Sequence, residues 1–203
     1  MSNAHLRFDY NRSAVIFIEF QREWLDESGS LYRLVQDREQ FEAAQQNAAR
    51  LLAAARAGGL RILHCGLKYT EGFPELGNAS GGLRKLIKDA DRFRGDRAAF
   101  VEPFVPLRGE FEVVGRVGVS AFSGSNLDSY LRNNEVRTLF IVGFAAHVCV
   151  DSTFRQAHDL GYEAVLVEDS IASFKDEERQ HVLQSVAHHY GHSIKTDAMI
   201  SDL

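Results

Sequence analysis

Three residue types are scarce in this chain of 203 residues, which contains two cysteines, three prolines and one tryptophan. Two cysteines are too few for a disulfide framework, so the sequence fits a reducing compartment. The chain also lacks a run of about 18 apolar residues that would span a membrane. Its first residues contain no apolar signal core. We therefore expect a cytoplasmic protein with no membrane partner.

Positive charge is also sparse. The formal net charge is −5, and no cluster of lysine and arginine is dense enough to follow a phosphate backbone. We therefore expect no nucleic-acid partner. Hydrophobic residues make up 45% and charged residues 25% of the chain, as in an ordinary globular protein. The length suits one domain over residues 1–203.

Short apolar runs alternate with helical patterns along the chain. The runs predict strands at residues 14–20, 60–66, 111–116, 137–144 and 162–168, with a last edge strand at 192–199. Apolar residues at helical spacing predict helices at residues 37–57, 125–133, 148–160 and 176–190. This alternation predicts a three-layer α/β/α fold, Rossmann-like, with a central and mostly parallel sheet of about six strands.

One segment interrupts the alternation. Residues 68–109 contain all three prolines and many glycines, and we predict that they form a lid-like excursion over a pocket. Aromatic residues of this segment and of neighbouring loops are candidate pocket walls: Trp24, Tyr32, Tyr69, Phe73, Phe93 and Phe100.

Three residues with reactive or charged side chains follow predicted strands, and sites in parallel sheets form at the carboxyl ends of strands. Cys149 lies near the start of a predicted helix, where backbone N–H groups and the helix dipole favour a thiolate. Glu19 lies at the carboxyl end of the first predicted strand, and Arg116 ends the third. The alternative interpretations are an inert core cysteine, a solvated carboxylate and a surface arginine.

Four blocks carry a family likeness: VIFIEFQ at residues 15–21, VVGRVGVSAFSGSNL at 113–127, GFAAHVCVDST at 143–153 and VEDSIAS at 167–173. Together, and in this order, they resemble the isochorismatase-like cysteine hydrolase superfamily, which includes nicotinamidases and N-carbamoylsarcosine amidases. The resemblance implies that family's hydrolase fold. It also implies a cysteine hydrolase that cleaves a C–N amide or ureide bond of a small molecule through a thioester.

The resemblance implies a triad of acid, cation and cysteine, which fall by position on Glu19, Arg116 and Cys149. The usual family residues are Asp, Lys and Cys, so two of the three differ. Arginine has a pKa above about 12, so it orients and stabilises but rarely donates a proton. A longer acid can meet its guanidinium in a bidentate pair. The resemblance further implies a cis Phe144–Ala145 peptide bond and an oxyanion site formed by the N–H groups of Ala145 and Cys149.

The candidate substrate contacts are Gln21, Trp24, His147 and Phe122. Gln21 alternatively holds a loop, and His147 alternatively caps a helix. The resemblance implies no cofactor, a small-molecule substrate and a homodimer or homotetramer. Some nicotinamidases bind a divalent ion through an Asp-x-His motif after the second strand. Because His64 stands there without such a partner, we predict no metal site.

Three other functions are left open. The altered acid and cation also fit a catalytically inactive binding or regulatory member of the family. Isochorismatase itself cleaves a vinyl ether, but members with that activity can lack the cysteine, so Cys149 favours amide chemistry. A dinucleotide-binding Rossmann protein is disfavoured because no G-x-G-x-x-G follows the first strand.

Overall fold

The computed structural model describes residues 8–203. Six parallel strands form one sheet in the order β3-β2-β1-β4-β5-β6, which confirms the predicted fold class. The strands are β1 (Ser13–Ile18), β2 (Arg61–Cys65), β3 (Phe111–Val113), β4 (Thr138–Phe144), β5 (Glu163–Ala172) and β6 (His192–Ile194).

Helices cover both faces of this sheet. They are α1 (Arg22–Leu25), α2 (Arg38–Gly58), α3 (Gly82–Asp89), α4 (Leu127–Asn133), α5 (Asp151–Asp159), α6 (Asp176–His181), α7 (Ala187–Tyr190) and α8 (Thr196–Ser201). A π turn, Val182–Val186, joins α6 to α7, so the predicted helix at 176–190 is present. No helix among residues 8–203 is long and apolar enough to cross a membrane.

The core lies on the two sides of the sheet because successive side chains of a strand point to opposite faces. In β1, Val15 and Phe17 belong to the cluster that includes the apolar face of α2. Ile16 and Ile18 belong to the other cluster, with α4, α5 and the π turn after α6. Every residue of β1 is buried, as expected for the centre of a sheet covered on both faces.

The strand order reverses beside β1. The chain continues from β1 outwards to β2 and β3, and then returns to β4 on the opposite side of β1. Ligands in such sheets bind at this switch point, outside the carboxyl ends of the strands. The backbones approach closely there, because a Cβ on Gly143 would lie 2.1 Å from the Ile18 carbonyl oxygen. Glycine is therefore required in β4 at the edge of the crevice.

The first strand ends at Ile18 rather than at residue 20, and two other predicted strands differ from the structure by three or four residues at one end. The third strand stops at Val113 rather than at residue 116, because the Val114 N–H donates to Asn126 Oδ1 at 3.0 Å and Gly115 is left-handed with φ 83°. The strand predicted at 162–168 runs on to Ala172, where its buried apolar residues pair with the end of β4.

The last predicted strand, at residues 192–199, is largely wrong. Strand β6 ends at Ile194, and helix α8 follows. The Thr196 N–H donates to Asp169 Oδ1 at 2.8 Å, which fixes the start of this helix. Met199 is fully buried by a helical rather than an extended backbone.

Candidate active site

Glu19 directly follows β1 in a left-handed backbone conformation, φ 62°, which is uncommon for a residue other than glycine. Its N–H donates to the Cys65 carbonyl at 2.8 Å, and its own carbonyl accepts from the Gln21 N–H at 2.7 Å. An unfavourable backbone conformation is retained only where surrounding contacts hold it in place. Such conformations concentrate at functional sites. Only 1% of Glu19 is exposed, so its carboxylate requires partners.

Both carboxylate oxygens of Glu19 have buried partners. Arg116 Nη2 donates to Oε1 at 2.8 Å, and Trp24 Nε1 donates to Oε2 at 2.8 Å. The bidentate contact that the sequence suggested is therefore replaced by a single ion-pair contact, because tryptophan occupies the second oxygen. The two charged side chains are each 1% exposed, so water screens their attraction little.

The other donors of Arg116 order the loop after β3. Nε donates to the Gly118 carbonyl at 3.1 Å, Nη2 also donates to the Val119 carbonyl, and Nη1 lies 3.8 Å from Cys65 Sγ. Burial by itself would lower the pKa of Arg116, but Cys65 and Glu19 raise this pKa above its ordinary value. Arg116 is therefore a fixed positive charge rather than a proton donor.

Cys149 lies in a π turn, Ala146–Val150, between β4 and α5. The regular α-helix begins at Asp151 rather than near residue 148, as the sequence had indicated. Burial raises the pKa of the Cys149 thiol well above its ordinary value, and the Glu19 carboxylate raises it further. The position of Cys149 in the sequence favoured a thiolate, but its buried environment favours the neutral thiol. A base is therefore needed to remove the proton.

A cavity of about 290 Å³ lies over the carboxyl ends of β1 and β4. Glu19, Ala145 and Cys149 line it, while Arg116 lies behind Glu19 and lines a neighbouring cavity. The Phe144–Ala145 peptide bond is cis, as the resemblance implies. Eight residues of segment 68–109 line the same cavity: Tyr69, Leu76, Leu83, Arg84, Leu86, Ile87, Arg92 and Phe93.

The candidate substrate contacts fall in different places. Trp24 lines the cavity, but Gln21 lines the neighbouring one, where its amide is hydrogen-bonded to Leu67 and Ala98. His147 and Phe122 are not among the residues that line the cavity. His147 Nδ1 is 2.8 Å from Ser173 Oγ, and Phe122 stacks on a tyrosine in the core. Of the six candidate aromatic walls, three line the cavity, namely Trp24, Tyr69 and Phe93.

Helix α3 and Phe174 also line the cavity, and neither was among the contacts predicted from the sequence. Leu83, Leu86 and Ile87 have i, i+3 and i+4 spacing, which is the signal of a short amphipathic helix. Glu23 was missed as well: its buried carboxylate accepts from the Ser30 N–H at 2.8 Å and from the Phe93 N–H. This carboxylate thereby joins α1 to two segments beside the cavity.

His64 is involved in a separate buried contact. Its Nε2 lies 2.7 Å from Glu110 Oε2, and Arg56 Nε donates to the same carboxylate at 2.7 Å. Within residues 8–203, no group of three or more His, Cys, Asp or Glu side chains is placed to hold a metal ion.

The fold places a buried acid, cation and thiol near the switch point of the sheet, and comparison with known proteins identifies the family. Residues 13–198 match the isochorismatase domain family, so the chain belongs to the isochorismatase family of hydrolases. It is 30% identical over 171 residues to the ureidoacrylate amidohydrolase RutB of Variovorax paradoxus (strain S110), covering 78% of this chain and 68% of that protein.

Solved structures share the whole architecture. A cysteine hydrolase from Pseudomonas syringae pv. phaseolicola 1448A superposes with a TM-score of 0.81 at 21% identity, covering 100% of this chain and 98% of that one. The N-carbamoylsarcosine amidase from Thermoplasma acidophilum gives a TM-score of 0.68 at 20% identity, covering 92% and 97%. At these identities the likeness concerns the fold.

Proposed function

We propose that this protein hydrolyses a C–N bond of a small amide or ureide through a thioester on Cys149. The observation that carries the proposal is that a buried carboxylate and a buried thiol, Glu19 and Cys149, line one cavity. A fixed cation, Arg116, holds that carboxylate at 2.8 Å. Isolated buried charges are costly, so an arrangement of this kind at the switch point of the sheet fits a functional role.

The first half of the reaction forms the thioester. The Cys149 thiol proton passes to Glu19 as Sγ bonds to the substrate carbonyl carbon, whose oxygen becomes an oxyanion. The N–H groups of Ala145 and Cys149 donate to that oxyanion. When the carbonyl reforms, the C–N bond breaks and the leaving nitrogen takes the proton from Glu19, so an amine or ammonia departs.

The second half returns the enzyme to its starting state. Glu19 takes a proton from water as the water oxygen attacks the thioester carbonyl. The C–S bond then breaks, the thiolate recovers the proton, and a carboxylic or carbamic acid is released. Arg116 does not move a proton in either half; it orients Glu19 and offsets its charge.

The choice of amide or ureide bonds has support from relatives. RutB is named for its action on ureidoacrylate, and the structural neighbour from Thermoplasma acidophilum is an N-carbamoylsarcosine amidase. The neutral thiol beside Glu19 also fits a reaction in which the base acts during attack, since no free thiolate is needed beforehand.

A substrate panel tests this proposal. Wild type, Cys149→Ala and Cys65→Ala are assayed with simple carboxamides, ureides, carbamoyl amino acids and one vinyl ether, and the released amine or alcohol is quantified. We expect hydrolysis of amides or ureides by wild type and by Cys65→Ala, and none by Cys149→Ala. Turnover of the vinyl ether alone, or equal turnover by all three proteins, would overturn the proposal. No turnover at all would favour the binding or regulatory function.

A further inference from the structure

The wall of the active-site cavity is almost entirely apolar. Apart from Glu19 and Cys149 at its inner end, most of its lining side chains are aliphatic or aromatic, among them Trp24, Phe174 and three side chains of α3, Leu83, Leu86 and Ile87. At about 290 Å³, the cavity is close to the lower limit, about 300 Å³, of ordinary small-molecule sites.

Apolar residues also surround the opening of the cavity. Leu34, Leu83, Leu86 and Val117 are 47%, 38%, 52% and 37% exposed, and all four line it. Only two other large hydrophobic side chains of the described residues, Leu107 and Val114, are comparably exposed, and neither lines this cavity. An exposed apolar patch at one opening is typical of a ligand-binding groove.

Charged groups on the cavity wall already have other partners or reach solvent. The two oxygens of Glu19 accept from Arg116 and Trp24. Arg92 Nε donates to Ser30 Oγ at 2.9 Å, and Arg84 is exposed on α3. An ammonium group pushed into the cavity would therefore lose its hydration without gaining an ionic partner, which is unfavourable. A carboxylate would find a cation only at Arg84 or Arg92 among the lining residues.

We infer that the substrate of this site is an amide or ureide that carries a sizeable uncharged apolar group, alkyl or aryl, next to the scissile bond. The identity of the reacting bond, a C–N bond of an amide or ureide, rests on the proposed function. The reacting carbonyl lies at the inner end, against Cys149 and Glu19, and the apolar group packs along Trp24, Phe174 and helix α3. Small polar ureido acids lack such an apolar group, so we expect them to be poor substrates. Two relatives are named for substrates of that kind, ureidoacrylate and N-carbamoylsarcosine.

The single tryptophan of the chain allows occupancy to be measured without turnover. Trp24 lines the cavity, so its fluorescence reports a bound ligand. The Cys149→Ala variant is titrated with acetamide, butanamide, hexanamide and octanamide, and then with hexanamide carrying a terminal ammonium or carboxylate. We expect Kd to fall about four-fold per added methylene until the cavity is full. The ammonium form should bind more weakly than hexanamide, because Glu19 already has its partners.

A matched pair of leucine variants tests whether the groove at α3 is responsible. Leu86 and Leu107 are 52% and 54% exposed, but only Leu86 lines the cavity. In the Cys149→Ala background, Leu86→Gln should raise the Kd of octanamide about five-fold and leave that of acetamide unchanged. Leu107→Gln should change neither value. Equal effects of the two changes would contradict the inference.

Failure of this inference is distinguishable from failure of the proposed function. A Kd that is flat with chain length, or tightest for a charged amide, overturns the inference even if wild type hydrolyses amides. If binding depends on chain length but wild type hydrolyses no amide, the inference about the apolar group is supported and only the proposed reaction is contradicted. A chain-length effect that vanishes as the protein is concentrated would assign the apolar opening to a second copy of this chain, and would also overturn the inference.

Discussion

Arg116 Nη2 lies 2.8 Å from Glu19 Oε1, and both side chains are 1% exposed, so the acid and the cation of the site form one buried ion pair. The guanidinium also donates to the carbonyls of Gly118 and Val119. A lysine ammonium is a point donor and cannot span these three directions in the same way. Arginine therefore has a specific task here, because it orients the acid and orders the loop after β3 together.

Arg116→Gln should lower the free energy of unfolding by about 3–5 kcal/mol, because it leaves Glu19 buried without its counter-charge. Urea denaturation at neutral pH measures this loss. Arg132→Gln is the matched control, since Arg132 pairs with Asp128 on the exposed surface of α4. The urea midpoint of this variant should hardly differ from that of wild type. A loss for Arg116→Gln as small as that of the control would mean that the pair does not contribute as described.

Glu19→Gln should separate the reactivity of the thiol from turnover. The Glu19 carboxylate raises the pKa of the Cys149 thiol while Arg116 lowers it, so removing the negative charge lowers that pKa. The pH at which iodoacetamide alkylation of Cys149 accelerates should then move down, while hydrolysis is lost. The rate is followed by mass spectrometry over pH, with Glu27→Gln as an exposed control. An unchanged alkylation profile would show that the two groups do not interact.

Trp24→Phe keeps an aromatic ring on the cavity wall but removes the donor to Glu19 Oε2. Hydrogen bonds to charged groups contribute about 1.5–3 kcal/mol, so kcat/KM should fall by about 10- to 100-fold. The fall should appear mainly in kcat, because the apolar wall for the substrate is retained. Steady-state kinetics on the best amide of the panel measures this. A change confined to KM would mean that Trp24 only packs against the substrate.

Glu110 gives a pH-dependent contribution to stability away from the active site. Burial alone would raise its pKa, but hydrogen bonds from Arg56, the Leu107 N–H and His64 lower this pKa to about 2. A carboxyl with a lowered folded-state pKa stabilises the protein above its unfolded value of about 4.5, and this contribution disappears as the pH falls towards 2.

Glu110→Gln should therefore lower the free energy of unfolding at pH 7 by an amount on the order of 2 kcal/mol. The difference from wild type should shrink as the pH falls from about 4.5 towards about 2. Urea denaturation over this pH range provides the measurement, with Glu112→Gln on the exposed edge strand as the control. A difference that is constant with pH would contradict the lowered pKa.

The sheet and the convergence of Glu19 and Arg116 were predictable from the sequence. Apolar runs such as β1 and β4 have a strong pattern, and each charged residue directly follows or nearly follows such a run. The family motifs further indicated Cys149, and the structure places it on the same cavity as the acid.

The rest depended on interactions that no local pattern contains. Phe122 belongs to a motif block but packs in the core, whereas Phe174, outside the predicted contacts, lines the cavity. The early end of β3 results from a side-chain contact with Asn126, 12 residues away in the chain. The raised pKa of the Cys149 thiol follows from its burial beside Glu19, and burial at that point is a property of the packed molecule.

In the proposed reaction, Cys149 carries the acyl group of the substrate, and trapping that group is the most direct test. Wild type, Cys65→Ala and Cys149→Ala are each mixed with the best amide of the panel and quenched in acid during turnover, and the intact proteins and their peptides are weighed by mass spectrometry. We predict one added acyl group on the peptide that contains Cys149 in the first two proteins and none in Cys149→Ala. Undiminished hydrolysis by Cys149→Ala, or an acyl group found on any other residue, would contradict the account.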